Sequence, residues 1–187
     1  MDSIEPLRFN CVPDSAIVRG DSPWFVPDGA TEPVATLWAG VLIDRLGKSI
    51  RQRFACRYYS DFVFAVHPQG GRPQTEWVND GAMLLGTGRI AARDIAAGDA
   101  AIPASLTLRD GEGQAVLVAH MPAADSFDAA IAAVTPDVTV KTGDIILLPL
   151  TIDPGSTPAA FNPLSSRHFR LYAGNDNSQC LLHFKAR

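Results

Sequence analysis

Cysteines, long apolar runs and clustered basic residues are all scarce in this sequence, and each scarcity excludes a class of protein. The 187 residues contain three cysteines, Cys11, Cys56 and Cys180, with no Cys-x-x-Cys or Cys/His spacing typical of zinc sites. Their odd number and wide separation predict buried free thiols in a reducing compartment. No apolar run approaches the roughly 20 residues that span a bilayer, so we expect no membrane-spanning segment.

Positive charge is neither abundant nor concentrated along the chain. Sixteen Lys and Arg residues stand against 20 Asp and Glu residues, which gives a net charge of −4 and a pI near 5.5. Because the basic residues are spread out, nucleic acid and anionic membranes are not expected as partners. The first ten residues carry two acids and no apolar run, unlike a secretory signal. These features predict a soluble cytoplasmic protein.

Several familiar catalytic motifs are missing as well. There is no Gly-x-Ser-x-Gly elbow, and the segment LLGTGRI lacks the Lys-Ser/Thr pair of a P-loop. Many acids stand in turns, where an aspartate usually caps its own backbone; examples are Asp14, Asp28, Asp80, Asp110 and Asp144. No predicted strand carries two acids at alternate positions, the spacing that would direct both carboxylates to one face. The residues alone therefore indicate no magnesium site.

Hydrophobic residues make up 47% of the chain, enough for a sizeable core in one domain spanning residues 1–187. Most apolar segments are short and bounded by turn residues, which is typical of strands. Strands are predicted at 8–12, 15–18, 36–43 and 62–68, in a hairpin within 104–120, near 145–150, and in a final hairpin of 168–174 with 180–186. Helical spacing predicts helices at 48–57 and 125–135. The pattern indicates an α+β fold dominated by strands.

Two residues raise a functional question. Trp38 is a bulky residue in the strand-like stretch ATLWAGVLIDRLGKSI, which is either plain core or the wall of a pocket that has lost its chemistry. His67 ends an apolar strand directly before Pro68, a place where active-site residues often lie. The other histidines, His120, His168 and His183, are expected at the surface or in cross-strand pairs.

The order of several segments resembles the small single-domain form of the fumarylacetoacetate hydrolase (FAH) family. The resemblance extends over roughly residues 9–150, through the segments PDSA (13–16), FVPD (25–28), GKSI (47–50), FACRYY (54–59), LRDGEGQ ending at Gln114, FDAAIAAVT (127–135) and VKTGDIILLP (140–149). It implies the fold of the FAH C-terminal domain, a mixed β-roll or sandwich with a few short helices.

The resemblance also implies an activity. Family members hydrolyse, isomerise, decarboxylate or hydrate 2-oxo or 1,3-diketo acids at a Mg²⁺-type cation, which acts as a Lewis acid. The family holds this cation with a Glu-x-Glu strand and a later Asp. By the resemblance these positions correspond to Thr36, Trp38 and His67, and none of them is a carboxylate.

Other functional segments of the family are also altered. The Lys-Gly-Phe-Asp stretch corresponds to EWVNDG, which contains Trp77 and keeps Asp80 but has no lysine. The Thr-Gly-Thr-Pro turn is replaced at 148–151. Trp38 is therefore interpreted as the wall of a lost metal site, and we expect it to be mostly buried against Val66 or Trp77.

Three hypotheses remain open. The protein is a degenerate family member that keeps the fold for binding, with a small carboxylic acid as a candidate ligand, or for assembly. Alternatively, it is an active FAH-type enzyme with a changed site, or a purely structural domain. Whether it is an enzyme is thus undecided, and the vestigial pocket candidates are Thr36, Trp38, His67, Trp77 and Asp80. We expect no cofactor, no tight binding of Mg²⁺, Mn²⁺ or Ca²⁺, and a homodimer.

Overall fold

Two β-sheets that share one core form the framework of the protein. A computed structural model describes residues 9–28, 33–70, 75–156, 161–163, 166–174 and 179–187. The strands are β1 (Ile17–Arg19), β2 (Pro23–Trp24), β3 (Val34–Ile43), β4 (Tyr59–Gln69), β5 (Met83–Ala91), β6 (Ser105–Arg109), β7 (Ala115–His120), β8 (Ile145–Pro149), β9 (Thr151–Ile152), β10 (His168–Ala173) and β11 (Gln179–Ala186). The helices are α1 (Gln52–Ala55), α2 (Ala92–Ala97) and α3 (Asp125–Val134).

The strand order shows a mixed topology. The five-stranded sheet runs β1-β5-β4-β3-β8, and the six-stranded sheet runs β2-β11-β10-β6-β7-β9. Only the pairs β1–β5 and β2–β11 are parallel among those described. The strand-dominated α+β prediction is thus confirmed.

The core lies between the two sheets because β3 and β4 alternate their side chains between an inner and an outer face. On β3, Leu37 and Val41 are fully buried and belong to the same cluster as Leu171 and Phe184 of the six-stranded sheet. The residues that alternate with this inner row, Thr36, Trp38 and Leu42 among them, face outward. The inner face therefore builds the core, and the outer face is available for a site.

A close approach of the sheets occurs where β5 meets β11. A Cβ atom on Gly86 would lie 2.3 Å from the carbonyl oxygen of Leu181, and one on Gly88 would lie 2.6 Å from the Leu181 Cα atom. Only glycine allows this approach, so Gly86 and Gly88 let β5 lie directly against β11. Sequence reasoning assigned neither β5 nor α2.

The helix predicted at 48–57 is mostly wrong. Only Gln52–Ala55 is helical, and Arg51 before it is extended. The backbone N–H of Ile50 donates to the Thr135 hydroxyl at 3.0 Å, which holds this segment against the end of α3 instead of in a helix. Ile50 and Ala55 are nevertheless buried, as the apolar spacing predicted, whereas Phe54 is exposed.

Other local predictions have mixed outcomes. Residues 9–13 form no strand, residues 14–16 form a short 3-10 helix, and residue 8 lies outside the described residues. The hairpins β6–β7 and β10–β11 and the helix α3 are confirmed. The three cysteines are free but exposed, which corrects the expectation of burial. In the described part of the chain, no helix is long and apolar enough to cross a membrane.

The contact between the sheets at Gly86 yields a prediction. The Gly86→Ala variant should lose about 1–3 kcal/mol of unfolding free energy because backbone, not a flexible side chain, opposes the new methyl group. A matched control is Gly111→Ala, whose Cβ would lie 3.4 Å from the Ser166 hydroxyl oxygen, an ordinary contact. Its stability should stay within about 0.5 kcal/mol of the unmodified protein in urea unfolding. Equal midpoints for the two variants would contradict this packing.

Candidate functional site

The strand register places Thr36 and His67 directly opposite each other on β3 and β4. Trp38, opposite Ala65, is two residues further along β3 and therefore shares the same outer face. Residues that are distant in sequence are thus brought into one patch. The resemblance singled out these same three positions.

A chain of hydrogen bonds links this patch. The Trp38 indole Nε1–H donates to the Thr36 hydroxyl oxygen at 2.8 Å. The Thr36 hydroxyl in turn makes a long contact of 3.5 Å with the His67 carbonyl oxygen. The threonine hydroxyl therefore has a neighbouring donor and acceptor, and its hydrogen-bonding capacity is used within the protein.

The loop 75–82 covers this patch with an aromatic ring. Trp77 stacks on the His67 imidazole, with ring centroids 4.3 Å apart and an interplanar angle of 11°. It also meets Trp38 edge to face at 5.7 Å. Trp38 and Trp77 are both half-buried and pack with a small apolar cluster built on Val63 and Met83. Such aromatic pairs contribute about 0.5–1.5 kcal/mol beyond their burial.

His67 is the fully buried centre of the patch, and both of its ring nitrogens have partners. Nδ1 lies 2.5 Å from the Ala82 carbonyl oxygen, and Nε2 lies 3.1 Å from Glu76 Oε1. Since a carbonyl can only accept, Nδ1 carries a hydrogen. The contact between Nε2 and Glu76 then needs one further proton, on the ring or on the carboxyl group. In either case the pair is neutral overall.

The structure brings together four of the five sequence candidates: Thr36, Trp38, His67 and Trp77. Asp80 is exposed in the loop, and no hydrogen bond or ion pair of its side chain occurs among the described residues. Trp38 is more buried than exposed and packs against Trp77, as expected. Val66 is not its neighbour, because Val66 lies on the inner face, where it pairs with Leu37.

Glu76 is a site residue that sequence reasoning missed. It directly precedes Trp77 in the loop, and its side chain is 30% exposed. No local pattern identifies it, because its contact with His67 depends on the path of the loop over β4. The only available signal was its position within the segment EWVNDG.

The residues present do not fit a Mg²⁺-type cation. Hard divalent cations need about six oxygen ligands, including carboxylates that compensate their charge. From the described residues the patch supplies one hydroxyl, already engaged by Trp38, and one carboxylate, already engaged by His67. In the ranges that the structure describes, no group of three or more His, Cys, Asp and Glu side chains could hold a metal ion.

A separate polar pair lies near the opposite end of β4 and has a structural role. The Tyr59 side chain hydrogen-bonds Asp128 of α3, and burial is the main cause that raises the pKa of each group. For Tyr59 the nearby charge of Asp128 acts in the same direction, so the phenol remains protonated and anchors α3 on the sheet.

Comparisons with known proteins identify the fold. No family model matches the chain, and no curated protein matches it. Among solved structures, 5-carboxymethyl-2-hydroxymuconate delta-isomerase from Mycobacterium smegmatis is 16% identical with a TM-score of 0.66, over 100% of this chain and 72% of that one. A Yersinia pestis CO92 protein assigned to the fumarylacetoacetate hydrolase family is 16% identical with a TM-score of 0.68, over 94% and 83%.

A third solved structure contains ligands. Maleylpyruvate hydrolase from Sphingobium sp. SYK-6, in complex with manganese(II) and pyruvate, is 13% identical with a TM-score of 0.70, over 93% of this chain and 62% of that one. The chain therefore has the fold of FAH-family proteins, which confirms the fold implied by the resemblance. At these identities the likeness establishes the fold only.

The partial burial of Trp38 leads to a second prediction. Trp24 serves as the matched control because it is 1% exposed and packs against Phe161 and Phe184. Trp24→Ala should lose about 3–5 kcal/mol of unfolding free energy. Trp38→Ala should lose less, about 1–3 kcal/mol, because solvent already reaches part of its ring. Urea unfolding of both variants tests this order, and losses of equal size would contradict it.

Proposed function

We propose that this chain is an FAH-family protein that has lost metal-dependent chemistry and keeps its fold for binding or assembly. The observation that carries the proposal is the cluster of Thr36, Trp38 and His67. At the positions where the resemblance implies three carboxylates, these residues hydrogen-bond and pack against one another. A site whose polar groups satisfy each other has no vacancy for a hard cation.

The charge balance of the cluster supports this proposal. A metal site of carboxylates is stable only when a cation compensates the buried negative charge. Among the described residues, the one carboxylate in contact with the cluster is that of Glu76, and the proton that it shares with His67 balances its charge. The cluster is therefore neutral without a cation, so loss of the metal leaves no buried charge uncompensated.

The alternative is an active enzyme with a changed site. A histidine and a carboxylate that share one proton can act as a general acid–base pair, which favours this alternative. His67, however, is fully buried beneath Trp77, so a substrate could reach it only after the loop had moved.

A small 2-oxo acid such as pyruvate is the ligand to test. Turnover abolished by His67→Ala would support the enzyme over the binding protein.

A metal titration tests the main proposal. We expect no stoichiometric binding of Mg²⁺, Mn²⁺ or Ca²⁺ in titration calorimetry at neutral pH, because the donor atoms of the cluster are engaged with each other. A site of 1:1 stoichiometry and micromolar affinity would contradict the proposal.

A designed variant shows whether the cluster retains the geometry of a metal site. The triple variant Thr36→Glu, Trp38→Glu and His67→Asp should be destabilised, since it places carboxylates together without a cation. If the geometry persists, Mg²⁺ or Mn²⁺ should raise its melting temperature. The isosteric control, Thr36→Gln with Trp38→Gln and His67→Asn, carries no added charge and should not respond to metal.

We further propose that the assembly is a homodimer. Partly buried apolar side chains that still reach the surface of the outer face of the five-stranded sheet support this, among them Leu42, Ile145 and Leu147 around the buried Val63 and Ala65. Contiguous exposed apolar surface is typical of protein interfaces. β8, which carries two of these residues, lies at the edge of its sheet.

Light scattering tests the dimer. We expect a mass of twice the 20.0 kDa chain at high micromolar concentration. Leu147→Lys should shift the population toward monomer by placing a charge on the apolar face. Leu46→Lys is the control, because Leu46 is 69% exposed in a loop outside that cluster. A 20.0 kDa species for the unmodified protein would count against a dimer.

A further inference from the structure

The outer face of the six-stranded sheet gathers basic residues that the sequence keeps apart. In the strand register, Arg170 of β10 lies opposite Arg109 of β6 on one side and His183 of β11 on the other. His168 lies opposite Lys185. Three strands thus present five side chains that carry, or can acquire, positive charge.

Such an arrangement is unfavourable unless something compensates it, because like charges directly opposite on adjacent strands destabilise a sheet. Elsewhere in the protein, Arg19, Arg45 and Arg93 each pair with an aspartate, at 2.7, 3.3 and 3.4 Å. By contrast, neither Arg170 nor Lys185 forms an ion pair with any described residue. An acidic neighbour on this face among the described residues is Asp21, 3.4 Å from His183 Nδ1 and mostly exposed.

A cleft of about 460 Å³ opens at the end of this face. Arg167, Lys185 and Arg187 line it together with the apolar residues Val26, Pro163 and Ala186, and none of the described lining residues is acidic. Arg167, like Lys185, has no ion-pair partner within the described ranges. The volume of the cleft is within the range typical of small-molecule sites, about 300–1,000 Å³.

Backbone hydrogen bonds hold the walls of the cleft. The Val26 N–H donates to the Arg187 carbonyl oxygen at 2.9 Å, and the Arg187 N–H donates to the Trp24 carbonyl oxygen at 2.9 Å. The Ala186 N–H donates to the Arg167 carbonyl oxygen at 2.8 Å. The three cationic residues therefore extend from a backbone that is fixed on both sides.

We propose that this cleft binds a small organic anion with two or more negative charges, either a phosphate ester or a polycarboxylate. Arginine forks match both groups geometrically, and charge-assisted hydrogen bonds are roughly twice as strong as neutral ones. The ligand is small because the protein as a whole carries a charge of −4, which disfavours an extended polyanion such as nucleic acid. The cleft is distinct from the Thr36, Trp38 and His67 cluster, which lies on the other sheet.

His168 provides a reporter at the edge of the cleft. Its pKa lies below the ordinary value for histidine, first because neighbouring groups partly desolvate this exposed ring and then because of the nearby charges of Lys185, His183 and Arg170. A bound anion would oppose the effect of these cations. Occupancy of the cleft should therefore raise the pKa of His168.

Calorimetric and NMR titrations with pyrophosphate and with citrate, at low ionic strength, test this site. We expect saturable 1:1 binding of at least one of the two anions and an upward shift of the His168 pKa. Binding of pyrophosphate alone indicates a phosphate ester as the natural ligand, and binding of citrate alone indicates a polycarboxylate. Arg167→Gln and Lys185→Gln should each weaken binding about tenfold or more.

Two controls separate a specific site from general attraction between charges. Arg93→Gln removes the same charge from an arginine whose side chain is 89% exposed on α2, and it should leave the affinity unchanged. Lys185→Arg keeps the charge and should restore binding. The proposal is overturned by failure to saturate with both anions, by equal weakening in Arg93→Gln, or by stronger binding of a DNA oligonucleotide than of either anion. Unchanged circular dichroism spectra confirm that the variants fold.

Discussion

The organisation of the outer face of the five-stranded sheet depends on the buried imidazole of His67. A fully buried polar ring must find a partner for each nitrogen, since an unpaired one destabilises the fold by about 1–3 kcal/mol. The loop 75–82 supplies both partners, the Ala82 carbonyl oxygen and the Glu76 carboxylate. Closing these two bonds brings Trp77 over the ring and against Trp38. The buried His67 side chain thus positions the loop 75–82, and Trp77 of that loop covers the outer face.

This interaction explains how an FAH-type fold can remain stable without carboxylates at Thr36, Trp38 and His67. A cation among carboxylates and a proton between an imidazole and a carboxylate both give a neutral cluster, although by different means. A shared proton requires only one acidic residue, and here that residue is Glu76, which lies in the loop 75–82. Metal-dependent chemistry therefore does not follow from the fold, since the fold does not fix which side chains occupy the face.

Sequence reasoning succeeded where the controlling interactions are local. The β6–β7 hairpin was predicted because Asp110 determines its own turn, its carboxylate accepting from the backbone N–H groups of Glu112 and Gln114. It failed where contacts between segments that are far apart in the sequence determine the structure. Gly86 and Gly88 interrupt the apolar pattern of β5, and the reason for them, the close approach of β11, lies elsewhere in the chain. Trp38 and His67 stand out in the sequence itself and Thr36 follows from the resemblance, whereas Glu76 lies on a loop whose path no periodicity encodes.

The outer face of the six-stranded sheet shows that sequence reasoning has the same limit when it predicts the distribution of charge. Arg109, Arg170 and Lys185 are far apart along the chain, and the sequence therefore argued against a basic surface. Antiparallel pairing brings such residues together, because residues distant in sequence become direct neighbours across strands. The two outer faces differ in consequence. On the five-stranded sheet, His67 and Glu76 balance each other beneath Trp77. Positive charge on the six-stranded sheet stays exposed beside a cleft, where water solvates it and an anion can still compensate it.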